Sequence, residues 1–334
     1  MDRVIIIAEA CQNHNGQLKK AYQLVDVAKK CGADFVKFQT SIPKLHISKF
    51  AQLANYQIKN WKKKSNQLEM IQKISLTYND FKKLKKYCNK KKIEFLSTPF
   101  EMKSIDFLKS LNMKYFKIPS GEITNLPYLI KVAKLKKKVI LSTGMANLLE
   151  IKKALKVLTS NGTIKKNITV LQCNTEYPTP LRDANVKAML TIKKKFKVDV
   201  GYSDHTEGIE SSLAAAALGA SILEKHITLN KNLKGPDHKA SVNPKELKKM
   251  VEGVRKITLA LGNGVKRVSA SERKNIKIAR TSIVASREIK KGEKFTSNNL
   301  AIKRPGNGIS PMKIFKIIGK IAKKKFLEDE LVKL

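Results

Sequence analysis

From the N-terminus to about residue 261, short β-branched runs alternate with longer segments whose apolar residues recur at intervals of three and four. The repeat is about thirty residues, the length of a βα unit. The runs predict eight strands, over Val4–Glu9, Asp34–Gln39, Ile93–Ser97, Tyr115–Ile118, Val139–Ser142, Ile168–Cys173, Val198–Tyr202 and Ser221–Lys225. The longer segments predict helices over Leu18–Lys30, Tyr78–Lys91, Ser104–Leu111, Leu126–Leu135, Leu148–Thr159, Asp183–Phe196, Gly208–Leu218 and Pro244–Leu261. Eight βα pairs in roughly 250 residues form the α/β pattern of a (β/α)8 TIM barrel. An open doubly wound sheet is the alternative. However, the first βα junction reads AEACQNHNG, with polar side chains where a dinucleotide fold carries its glycine-rich turn.

The barrel pattern covers residues 1–262. Residues 263–280 are charged and only weakly periodic, the composition of a linker that includes some helix. Residues 281–334 then predict a small second domain. Strand pairs turn at Lys291-Gly292, Pro305, Gly306 and Pro311 punctuate the chain, and an amphipathic stretch closes it. A chain of 334 residues exceeds what one hydrophobic core usually organises, which agrees with one large and one small domain.

Composition changes this picture little. The net charge of +41 invites a polyanion-binding protein, but only eight of the 68 basic residues are arginine, the side chain whose fork reads phosphates and bases. The lysines are dispersed in short runs such as Lys62–Lys64, Lys90–Lys92, Lys136–Lys138 and Lys193–Lys195, which read as solvated faces. No specific nucleic-acid partner is expected, although an anionic small substrate would benefit from the field. No run reaches the ~18 apolar residues of a membrane span, and the N-terminal apolar run is short for a secretory signal. Cys11, Cys31, Cys88 and Cys173 form no C-x-x-C pair, which fits reduced thiols in a cytoplasmic protein.

In a barrel the reactive groups come from the C-terminal ends of the strands, and nearly every predicted strand here ends in polar residues. Lys37 and Lys117 lie in the apolar strands VKFQ and FKIP, where an unpaired ammonium is costly. Beside hydroxyl residues and glycine-containing turns they suggest a site for a doubly anionic ligand. A Schiff-base lysine of the aldolase kind remains the alternative. His205 and His226 end neighbouring strands, where two neutral imidazoles can meet one divalent ion. Glu9, Glu122 and Asp237 are acids at or beyond strand ends, each able to serve as a general base or a hydroxyl acceptor.

In order along the chain stand AEACQNHNG, KFQT, STPF, KIPSGEITNLPYL, STGMA, EYPTP, GYSDHT, EKHITL, GPDHKAS and KRPGNGISP. Together they resemble the N-acetylneuraminate (sialic acid) synthase family, from Ile5 to the end of the chain. The resemblance implies a TIM barrel followed by a small antifreeze-like (SAF) domain. It implies condensation of phosphoenolpyruvate with N-acetylmannosamine to N-acetylneuraminate and phosphate, dependent on a divalent metal, Mn²⁺ or Mg²⁺. Synthases of N,N'-diacetyllegionaminate and pseudaminate share the pattern and differ in the sugar pocket. The EITNLPYL, EYPTP and GPDHKAS segments favour the neuraminate enzymes.

By the same resemblance His205 and His226 hold the metal. Lys37, Lys117, Thr98, Ser120, Ser142 and Ser203 hold phosphoenolpyruvate. Glu122 is the first choice for acid–base work and Glu9 the second, while Gln39, Tyr177 and Asp237 orient the amino sugar. Arg304, in KRPG, matches an arginine that the family inserts into a partner's barrel, which implies a domain-swapped homodimer. One departure concerns a phosphoenolpyruvate contact that some relatives make through asparagine two positions before the tyrosine. Here Thr175 stands there and Asn174 precedes it.

Overall fold

The computed structural model describes residues 3–61 and 65–334, so the Lys62–Lys64 run lies outside the described residues. The chain divides into two compact units, Met1–Asn263 and Gly264–Leu334. The first carries eight strands: β1 (Ile5–Cys11), β2 (Phe35–Thr40), β3 (Glu94–Pro99), β4 (Tyr115–Ile118), β5 (Lys138–Ser142), β6 (Ile168–Cys173), β7 (Asp199–Asp204) and β8 (Ile222–His226). They lie in the order β3-β2-β1-β8-β7-β6-β5-β4, every pair parallel. β3 and β4, the two ends of that order, pack side by side, so the sheet is a barrel that is nearly closed.

Local chemistry sets the helices around the barrel. α1 (Leu18–Lys30), α4 (Tyr78–Lys91) and α10 (Pro244–Leu261) begin and end where the periodicity predicts. In α4, Thr77 and Asp80 form a reciprocal capping box. In α10, Asn243 and Glu246 do the same with Pro244 in the first turn. Each buries one stripe, Phe81, Leu84 and Cys88 on α4, and Leu247, Met250, Val251 and Val254 on α10, against the strands. Gly201 in β7 is required by close approach, because a Cβ there would stand 2.2 Å from the Ile222 carbonyl oxygen.

Two predictions need correction. The helix expected from Asp183 starts at Ala188, because residues 181–183 form a 3-10 turn and Asn185 follows with φ +41°. Between β2 and α4, where no element was expected, stand α2 (Asn55–Trp61) and α3 (Gln67–Ile74). They carry a separate small cluster of Trp61, Met70 and Ile74.

The second unit pairs β9 (Ser282–Ala285) antiparallel with β10 (Leu300–Lys303) over a core that includes Ile283, Ile289, Phe295 and Phe326. The predicted turn is present, with the Glu293 N–H donating to the Lys290 carbonyl and Gly292 at φ +87°. Its flanks pair differently from a simple hairpin, since Ile289 bridges Phe326 and Lys294 bridges Ile321. The closing stretch is therefore a 3-10 turn (Pro311–Lys316) followed by short bridges rather than one amphipathic element. Before β9 the predicted linker contains one helix, α11 (Arg273–Ala279). No helix among the described residues is long and apolar enough to cross a membrane.

Candidate active site

Strand register builds the site. Parallel pairing sets Glu9 opposite Lys37 on one side and opposite His226 on the other, and sets Ser203 opposite Glu224. Because side chains alternate along a strand, Glu224 and His226 share one face of β8 and Lys225 takes the other. That other face is occupied: Lys225 pairs with Asp204 at 3.0 Å and donates to the Thr206 carbonyl, with both charges fully buried. Asp204 also accepts from the Thr206 and Ser212 hydroxyls, which ties the end of β7 in place beneath His205.

The opposite face opens into a cavity of about 350 Å³. Twelve of the fourteen residues expected to form a site line it. Glu9, Lys37, Thr98, Lys117, Ser120, Ser142 and Ser203 come from the strands and their first turns. Gln39, Tyr177, His205, His226 and Asp237 complete the set. Glu122 is not among the lining residues. The short turn Ser120–Glu122 gives Ser120 and Gly121 to the cavity, and the half-buried Glu122 carboxylate instead accepts from the Asn125 amide at 2.6 Å. Arg304 lies exposed in the second unit, just after β10. Thr175 lines the cavity, whereas Asn174 uses its carbonyl to hold His205 and its side chain to accept from the Glu176 N–H.

At the floor lies a buried four-charge cluster. Lys117 Nζ donates to both Glu224 oxygens, at 2.8 and 3.1 Å. Lys37 Nζ contacts Glu9, lies 3.6 Å from Glu224 and donates to Thr98 Oγ1 at 3.0 Å. Ser203 Oγ donates to Glu224 at 3.0 Å. Burial alone would raise Glu224, but the two ammonium groups outweigh it and hold its carboxyl well below the usual range. Burial pushes the Glu9 carboxyl up to about 7, against the pull of Lys37. Burial likewise lowers Lys117, whereas Glu224 and Glu9 more than offset it at Lys37. Ser142 Oγ, buried beside this cluster, has no hydrogen-bond partner. Two ammonium groups and an unused hydroxyl at the base of a cavity suit the carboxylate and phosphate of a small dianion.

Higher in the cavity the imidazoles stand together, with ring centroids of His205 and His226 5.2 Å apart. Burial lowers His205 to about 4, and burial with the neighbouring His205 lowers His226 further, so both are neutral near pH 7. His205 Nδ1 is engaged by the Asn174 carbonyl, which leaves Nε2 facing the Tyr177 hydroxyl at 3.2 Å. His226 Nδ1 is buried without a partner. One nitrogen of His226, the Cys11 thiol and an Asp237 carboxylate oxygen lie within 4.8 Å of one another, a donor set that could hold a divalent ion. The orphaned imidazole nitrogen supports that fit.

Sequence reasoning overlooked Glu224, which sits inside EKH and is distinguished only by the alternation that pairs it with His226 on one face. It also overlooked Tyr56 on α2, whose ring packs against that of Tyr177, tilted by 31° with centroids 5.1 Å apart.

The chain matches the NeuB family model over residues 24–266 and the SAF domain model over residues 280–334. It belongs to the NeuB family, a barrel synthase with a C-terminal SAF domain. It is 55% identical over 333 residues to the N,N'-diacetyllegionaminic acid synthase of Campylobacter jejuni subsp. jejuni serotype O:2, covering all of both chains. It is 34% identical over 331 residues to the N-acetylneuraminate-9-phosphate synthase of Homo sapiens, covering 98% of this chain and 90% of the human one. Among solved structures it resembles the N-acetylneuraminic acid (sialic acid) synthetase of Leptospira borgpetersenii serovar Hardjo-bovis in complex with citrate. The TM-score is 0.73 at 34% identity, over 82% of this chain and 90% of that one.

Proposed function

We propose that this chain is an N,N'-diacetyllegionaminate synthase, which condenses phosphoenolpyruvate with 2,4-diacetamido-6-deoxymannose and water to give the nonulosonic acid and phosphate. The observation that carries this reading is the full-length identity to a diacetyllegionaminic acid synthase, well above that to the neuraminate-9-phosphate synthase. It displaces N-acetylneuraminate, the product that the motif segments favour. The rim of the cavity is consistent with the change, since Ile47, Ile71 and Tyr56 offer apolar surface to a 6-deoxy methyl and a second acetamido group.

The reaction forms one C–C bond and one C–O bond, the latter from water, and breaks the C2–O bond to phosphate. C3 of the enol attacks the sugar aldehyde carbon, the aldehyde oxygen takes a proton, water adds at C2, and phosphate leaves with the C2–O bond. Lys37 and Lys117 hold the carboxylate and phosphate, with Thr98, Ser120, Ser142 and Ser203 donating around them. Glu224 fixes both lysines. Glu9 replaces Glu122 as the acid–base group, because its carboxylate lies in the cavity against Lys37 and Glu122 lies outside the lining. Gln39, Tyr177 and Asp237 orient the sugar. A divalent cation at His205 and His226, Mn²⁺ or Mg²⁺, would supply a Lewis acid for the aldehyde. Arg304 of a second protomer completes the sugar pocket in a domain-swapped homodimer.

The test is phosphate release from phosphoenolpyruvate with Mn²⁺ and with EDTA, offering N-acetylmannosamine and the 2,4-diacetamido-6-deoxymannose and -altrose sugars in parallel. EDTA-sensitive turnover on the diacetamidomannose is expected. Preference for N-acetylmannosamine would restore neuraminate as the product, and turnover on none would remove the synthase reading.

A further inference from the structure

The Cys11 thiol has no part in the chemistry above, yet the strand is bent to present it. The β1–β2 register breaks between Glu9 and Cys11, and Cys11 stands at φ +45°, a left-handed conformation in which a non-glycine residue is strained. There its Sγ lies 3.0 Å from Asp237 Oδ2. A thiol–carboxylate hydrogen bond accounts for two members of the group, but it does not engage the third. His226 is only 4% exposed, has Nδ1 unpartnered, and keeps a nitrogen within 4.8 Å of both other donor atoms. Thiol, imidazole and carboxylate thus converge from β1, β8 and the loop after β8, all three buried.

We propose that Cys11 is a further metal ligand, so that a thiolate, with the Asp237 carboxylate, joins the histidines at the site. This builds on the metal-dependent reading of the same cavity and assigns the class of ion it takes. A thiolate donor favours borderline and softer divalent ions, zinc, ferrous iron or cobalt, over magnesium, which prefers oxygen ligands and retains its water. The thiolate forms by loss of its proton to solvent as the ion binds.

The experiment titrates the full-length, metal-stripped protein with Co²⁺ and reads the near-ultraviolet sulfur-to-cobalt charge-transfer band. The band is expected in the native protein and absent from Cys11→Ser and Cys11→Gly. Glycine adopts the positive φ freely, so the second variant keeps the fold if serine does not. Cys173→Ser is the control, because that thiol lines the cavity but faces Ser120 Oγ at 3.3 Å, and it keeps the band. Calorimetry is expected to show Zn²⁺ binding weakened by roughly tenfold to a hundredfold or more in Cys11→Ser, at least the cost of losing an outer partner, with Mg²⁺ binding little changed. Cobalt bound without the band, or a band that survives in both Cys11 variants, overturns the assignment and leaves a metal-dependent condensation standing. Failure to bind cobalt at all overturns it together with the metal role.

Discussion

Glu224 joins two ammonium groups that would otherwise repel each other in a buried space, and its replacement has a measurable signature. Glu224→Gln leaves that cluster short of a negative charge and should cost about 3 kcal/mol of unfolding free energy. Inorganic phosphate, which resupplies the charge, should then raise the melting temperature of the variant more than that of the native protein. For the acid–base role, Glu9→Gln should lower kcat by about a hundredfold or more while Glu122→Gln costs less than about tenfold. The reverse order would return the role to Glu122. A pH effect belongs to His14, which burial lowers from 6.5 to about 4. Its folded value is depressed, so its stabilising contribution is complete above pH ~6.5 and is lost as pH falls toward ~4. Denaturation of native protein and His14→Gln at about pH 7 and about pH 4.5 should show the native protein losing about 2 kcal/mol more. At this scale the sequence shows the charged and hydroxyl residues at the strand ends. It does not distinguish Glu224, because a strand carboxylate looks solvated until the register sets it beside two lysines.

The eight barrel strands were legible almost to their ends, because a parallel strand buried on both faces is an apolar run bounded by polar residues. The helices with capping boxes were legible too. α2 and α3 were not, since two elements of seven and eight residues are too short for periodicity to separate from a loop. They nevertheless bring Tyr56 against Tyr177 and contribute Gln57, Gln67 and Ile71 to the cavity. If the proposed phosphoenolpyruvate groups act as assigned, they stand on the strands and the first turn after β4, which leaves this insertion free to set sugar choice. Tyr56→Ala should therefore raise KM for the sugar by roughly tenfold or more, the order expected for a lost aromatic contact, while KM for phosphoenolpyruvate stays within about threefold. A parallel rise in both constants would show that the insertion supports the whole cavity and does not select the sugar.

On the scale of the molecule, a charge of +41 invites a polyanion partner and the scarcity of arginine argues against one, while the cavity itself holds two buried lysines, both paired with carboxylates. Composition counts lysines and not their surroundings; it was the apolar strands around Lys37 and Lys117 that set these two apart. The step from two compact units to a working enzyme is likewise beyond composition. The SAF unit has a core of its own, with Ile283, Phe295 and Phe326 fully buried, and it carries Arg304 exposed. If Arg304 completes a partner's barrel, two variants that are each inactive should rescue one another. Glu9→Gln spoils the barrel and leaves the arginine, while Arg304→Ala spoils the arginine and leaves the barrel. Half of randomly assorted dimers are mixed, and each mixed dimer has one site with an intact barrel and an intact arginine. Co-expressed variants should therefore recover about a quarter of native activity. Were each chain to supply its own arginine, every site in the mixture would lack one group, and activity would stay at the level of the separate variants.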